Sequence, residues 1–330
     1  MDREQEDIQF LGLFGIYREG YKIIISCRKI ISQITLALIL PLSFIFLAHI
    51  EISTRLFRHI RYTEFQLHRY NHDSQRYKRL SDVLSSEWTE YLLFKVSYFT
   101  VLLVLSLLST AAVVYTIACI YTARDLTFKK VMSVVPKVWK RLMVTFLIIF
   151  AAFFVYNFIS IFVLISFLFI GGEAAPYLFI IGLMIYIIGF VYMTILWQLA
   201  SVVTVLEESY GVKAMMKSKN LIKGNMWVAL IIFFKLNLGL FGIQILFQIF
   251  VVHGYSVDLW KKILLGILCF LLLVKLILFG LVTQTIIYFV CKSYHHENID
   301  KSSLSDHLEV YLGEYEPLKS KDVQLEQYQV

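Results

Sequence analysis

Between Arg141 and Glu207 the only charged side chain is Glu173. A soluble fold has nowhere to hide so long a run without charge. It is long enough for two membrane helices of roughly 20 residues each, joined by a short turn. Composition agrees, because 58% of the residues are hydrophobic and 17% charged, against about 25% charged in soluble domains. The chain reads as all-α, an integral membrane helical bundle of six transmembrane helices with amphipathic interfacial helices. Spans are expected at Ile30–Ala48, Leu92–Tyr121, Leu142–Ile170, Tyr177–Leu206, Met226–Val252 and Ile263–Cys291. Pro41 fits inside the first span if neighbouring helices satisfy the carbonyl it frees. Gly171–Pro176 reads as the turn between spans three and four.

Lys and Arg counts set the orientation. The segments before span one and after spans two, four and six hold 19 of them, and the segments on the other side hold nine. Both termini are therefore expected in the cytosol. The stretch Glu51–Tyr91 is basic yet falls outside. If span one were only re-entrant, the totals would level at 14 and 14. The start, MDREQEDIQF, lacks the basic n-region of a cleavable signal peptide. Residues 1–29 form a cytosolic interfacial segment, 30–291 the membrane domain and 292–330 a polar cytosolic tail. Cys27, Cys119, Cys269 and Cys291 have neither disulfide nor zinc spacing. Cys27 and Cys291 fit palmitoylation by position, but ordinary buried or interfacial thiols are the plainer reading.

The stretch Leu126–Met143, LTFKKVMSVVPKVWKRLM, carries Lys129, Lys130, Lys137, Lys140 and Arg141. Phe128, Val131, Met132, Val135, Val138, Trp139, Leu142 and Met143 recur at helical spacing on its other faces. That pattern predicts a basic amphipathic helix lying in the interface, with its lysines toward anionic headgroups. Pro136 predicts two pieces or a kink. Lys213, Lys217, Lys219 and Lys223 return in Tyr210–Phe234, which aligns without gaps at an offset of 84 with five identities in 25 positions. The order of span, basic helix and span recurs, so 92–170 and 177–252 read as a parallel repeat. Ile8–Ser26 reads as a further interfacial segment.

Val202–Trp227 places Glu207, Gly211, Ala214, Ser218, Leu221, Gly224 and Trp227 in a spaced motif. It resembles the membrane domain of bacterial glycerophosphodiester phosphodiesterases and related bacterial membrane proteins. Over nearly its whole length, with FLGLFGIYREGYKIIIS and Arg28–Ser53, the chain is similar to a plant family of six-span proteins of unknown function. The plant resemblance implies membrane location and little chemistry. The bacterial one implies a separate catalytic barrel, and no polar segment here is long enough to be it.

No enzyme constellation stands out. His68 and His72 share a helix face, but Arg69 occupies the place of a zincin's general-base glutamate. His295 and His296 lie five spans away, on the other side. Lys95 can snorkel to an interface, whereas Lys235 and Lys275 lie deeper. They are candidate contacts for an anionic lipid or solute, with structural glue from neighbouring amides as the plainer role. Arg55–Tyr70 mixes basic and aromatic residues, but its exterior place argues against nucleic acid. Tyr315–Leu318 fits a sorting signal. The expected role is non-enzymatic: a lipid-contacting, membrane-organising or adaptor protein of the endomembrane system, in the endoplasmic reticulum or plasma membrane. No cofactor or metal is expected. Its partners would be anionic lipids of the cytosolic leaflet and cytosolic proteins at the basic loops and tail. Transport of an anionic lipid or solute past Lys235 and Lys275 is the alternative.

Overall fold

The computed structural model describes residues 11–70, 74–122, 126–170, 175–254 and 258–295. His72, His296, most of the expected turn at Gly171–Pro176 and the sorting signal lie outside them. The described elements are all helices: α1 Leu13–Ser26, α2 Arg28–Leu67, α3 Gln75–Tyr121, α4 Phe128–Ile170, α5 Ala175–Leu206, α6 Val212–Leu221, α7 Met226–Val252 and α8 Leu259–Tyr294. Six of these are long and apolar enough to cross a membrane, so this is an integral membrane protein. In lipid every backbone amide must be satisfied within its own helix, which is why these apolar runs are unbroken. The exceptions are two π turns, at Thr35–Ile39 and Gln248–Val252. The first widens the helix so that the Leu40 N–H reaches Thr35 O. It lies directly before Pro41, whose ring would crowd a regular turn.

The described residues fall into two compact units. One draws on Ser32–Ser109 and Phe234–Gly280, the other on Met1–Ile31, Thr110–Phe233 and Leu281–Val330. In the first, Leu47, Ile50, Ile243, Phe247, Val252, Cys269 and Leu273 form a buried cluster. Lipid tails are as apolar as leucine, so close packing rather than water exclusion holds these helices together. Gly239 allows α7 to approach α8, because a Cβ there would sit 3.3 Å from Leu276 Cδ1.

The basic stretch Glu51–Tyr91 is no loose loop. α2 continues to Leu67 and α3 begins at Gln75. With about 20 residues of each needed to cross a bilayer, the two extensions stand roughly 25 Å above it as a helical hairpin. Glu87 Oε1 accepts hydrogen bonds from Thr63 Oγ1 at 3.1 Å and from His59 Nδ1 at 2.7 Å, tying the two helices together. Nearer the bilayer, His49 stacks on Tyr98, and Lys95 Nζ donates to His49 Nε2 at 2.9 Å. Lys95 thus has a protein partner where snorkelling was expected.

In the second unit, α4 and α5 pair along most of their length. Gly182 and Gly189, seven apart, let Phe167 and Tyr156 lie against α5. Tyr186 donates to Asn157 Oδ1 at 2.9 Å, and Tyr156 donates to the Tyr186 carbonyl at 2.8 Å. Bonds of this kind in lipid average about 0.6 kcal/mol and reach about 1.7. Asn157→Leu should therefore destabilise the protein by no more than about 1.7 kcal/mol, read as a small drop in its unfolding midpoint in detergent.

The structure corrects one expectation. Leu126–Met143 is not a separate interfacial helix, because α4 runs unbroken from Phe128 to Ile170 with Pro136 inside it. Val131, Val134, Val135, Val138 and Leu142 are buried in protein rather than laid on lipid. Pro136 is exposed, so the carbonyl it leaves without a helical donor lies on the helix's open side. The second basic segment, α6, is separate and short. α1 buries Ile16, Glu19, Gly20 and Ile23 and exposes Phe14, Arg18, Tyr21, Lys22 and Ile25. An apolar stripe carrying basic residues suits the bilayer interface.

Candidate functional site

Six of the seven motif residues form one assembly in the second unit. α5 ends at Leu206, and the Glu207 N–H still bonds Val203 O at 2.8 Å. This fixes the Glu207 side chain one step past the helix end. One carboxylate oxygen accepts Tyr288 Oη at 2.6 Å and Lys292 Nζ at 3.1 Å. The other meets Lys217 Nζ at 2.6 Å. Arg141 Nη2 donates to the Glu207 backbone carbonyl at 2.7 Å. One residue therefore ties together α4, the end of α5, α6 and the end of α8. Only 12% of the Glu207 side chain is exposed. Burial alone would raise its pKa. The hydrogen bonds from Lys217 and Tyr288, with the charges of Lys292 and Lys217, outweigh it and hold the carboxyl below its ordinary value.

The chain reverses at Gly211, with φ 64° and ψ −131°, a conformation that only glycine adopts without strain. Its N–H donates to Thr145 Oγ1 at 2.8 Å, and Thr145 pairs with Thr204 at 3.0 Å. α6 then turns its small face inward. Ala214, Ser218 and Leu221, at steps of four and three, are buried, as one helix face requires. Gly224, at φ 94°, lies against the Tyr294 ring. His295 Nε2 lies 3.1 Å from Leu221 O and 2.9 Å from Lys223 O. Both partners are acceptors, so that nitrogen carries the proton and caps the end of α6. The seventh residue, Trp227, stands apart at 76% exposed on the first turn of α7, as an interfacial anchor does.

Both oxygens of Glu207 are occupied by donors, so it is a cross-link rather than a poised base. Among the described residues no group of three His, Cys, Asp or Glu could hold a metal. Lys129, Lys137, Lys140, Lys213, Lys219 and Lys223 are exposed and Lys130 half-exposed. Lys217 is taken by Glu207, and Lys223 also reaches Asn220 Oδ1 at 3.2 Å. Lys235 and Lys275 belong to the other unit, and both are exposed on their helices. A lysine at the centre of a span costs about 2.5–3.5 kcal/mol on insertion scales.

Sequence reasoning missed Tyr288, Lys292, Thr145, Thr204 and His295. Tyr288 and Lys292 lie 81 and 85 residues from Glu207, and no local pattern announces such a partner. No curated protein and no solved structure matches the chain. One family model does, over residues 1–328, and the chain belongs to that family, the Domain of unknown function DUF8558.

Proposed function

We propose that this is a non-enzymatic membrane protein that gathers anionic lipid at the basic end of the Glu207 assembly. The carrying observation is a charge imbalance. Among the described residues between Leu126 and Asn225, nine Lys or Arg stand against two carboxylates, Glu207 and Glu208. Glu207 is already saturated. Lys129, Lys130, Lys137 and Lys140 recur along one side of α4, opposite its buried valines, as a strip for phosphate headgroups. This end also carries the Lys and Arg excess that favours the cytosolic side, and in this reading both termini lie in the cytosol. The resemblance to plant six-span proteins implies a membrane location, which we take to be the endoplasmic reticulum or plasma membrane. The exposed positions of Lys235 and Lys275 weigh against transport through an enclosed path.

Native mass spectrometry of the protein in nanodiscs of mixed phosphatidylcholine and phosphatidylinositol tests this reading. The native protein should leave the nanodisc with bound phosphatidylinositol. Replacing Lys129, Lys130, Lys137 and Lys140 with glutamine should remove at least half of it. Equal retention by both proteins would overturn the reading.

A further inference from the structure

Two cations inside the spans have no counter-charge. Lys235 on α7 and Lys275 on α8 lie in one unit, and neither makes a hydrogen bond or ion pair with any described residue. Gly239 faces Leu276, so Lys275 stands about level with Leu240, roughly 8 Å along α7 from Lys235. Measured along α7 from Trp227, Lys235 lies about 12 Å deep and the level of Lys275 about 20 Å deep. From the other end of α7, at Val252, that level is again about 18 Å away. Lys275 therefore starts from the hydrocarbon middle, and Lys235 within the hydrocarbon but roughly 8 Å nearer one face. Lys275 is further from either surface than a lysine arm reaches.

An ionisable group at that depth pairs with another or lines water. None of the six spans read from the sequence contains an Asp or Glu. Neither this chain nor a second copy of it can supply a carboxylate there, and a lipid phosphate stays at the surface. The surroundings suit a helix. Lys235, Leu238, Gly242, Ile245 and Ile249 follow each other at alternating steps of three and four, and Leu238, Ile245 and Ile249 are exposed. A Cβ on Gly242 would meet nothing within 4 Å, which leaves room for a close neighbour. On α8, Leu264, Leu268, Leu271 and Lys275 form a similar exposed row.

We propose that these faces of α7 and α8 bind a transmembrane helix of another protein, which carries an Asp or Glu at mid-bilayer depth opposite Lys235 and Lys275. The proposal is independent of lipid binding at the basic end, and either can fail alone.

The test uses the full-length protein in phosphatidylcholine vesicles with three labelled polyleucine helices, bearing a central Asp, Asn or Leu. Energy transfer reads their association. The Asp helix should bind at least tenfold more tightly than the Leu helix. Lys235→Leu with Lys275→Leu should remove that preference, and Lys→Arg at both positions should keep it. Moving the Asp two turns toward the helix end should weaken binding. Equal binding of the Asp and Leu helices would overturn the proposal. So would displacement of the Asp helix by added phosphatidylserine, which would assign the lysines to lipid phosphate.

Discussion

Replacing Glu207 with alanine should destabilise the protein by about 3–5 kcal/mol, the usual cost of removing one partner from a buried charge cluster. The loss has several parts. Lys292 and Tyr288 would be left partly buried without their acceptor. Lys217 would lose its ion pair too, though at 32% exposed water recovers part of that term. Glu207→Gln should fall between, since an amide still accepts from Tyr288 but gives the two lysines no charge. Unfolding in detergent, followed by helical circular dichroism, reads the difference, and an unchanged midpoint for Glu207→Ala would refute the cross-link. Acid provides a second reading. The folded carboxyl titrates below its ordinary value. Its contribution is therefore complete above the unfolded carboxylate's pKa and is lost as pH falls through the lower, folded value. The native protein should lose its advantage over Glu207→Ala across that acid range, and the two should converge at its bottom.

Gly211→Ala should cost about 2–3 kcal/mol, most of it backbone strain at φ 64° and ψ −131°. The added Cβ would also approach Ile148 Cδ1 to 2.9 Å, but that methyl ends a flexible side chain and can give way. The larger consequence is positional. The Gly211 N–H is held by Thr145, which is itself paired with Thr204, so this glycine sets where α6 begins. Gly211→Ala should expose Lys217 and the α6 backbone to faster hydrogen exchange, whereas an alanine at exposed Val212 should not. Equal exchange in the two variants would remove Gly211 from that role.

Much of this architecture is legible as long apolar runs with few charges. The expected span Met226–Val252 coincides with α7, and α5 begins two residues before the expected Tyr177. Hydropathy marks where lipid lies, however, and not where a helix ends. Charges follow Ala48 and precede Leu92 and so bound spans one and two in the sequence, yet both helices run on past them. Pro136 predicts two pieces or a kink, and the helix is not divided there; the ring lies on an exposed side. The motif from Glu207 to Trp227 was visible as spacing. Its meaning was not, because Arg141, Tyr288 and Lys292 reach Glu207 from other helices and carry no local sign of doing so.

The hairpin above the first two spans is also a ruler. Both of its arms leave the bilayer without a break in hydrogen bonding, and Glu87 pins one arm to the other. The two arms are therefore held at a set height of roughly 25 Å and do not sweep through a volume as a tethered loop would. Anything that meets these arms end-on is selected first by height and only then by chemistry.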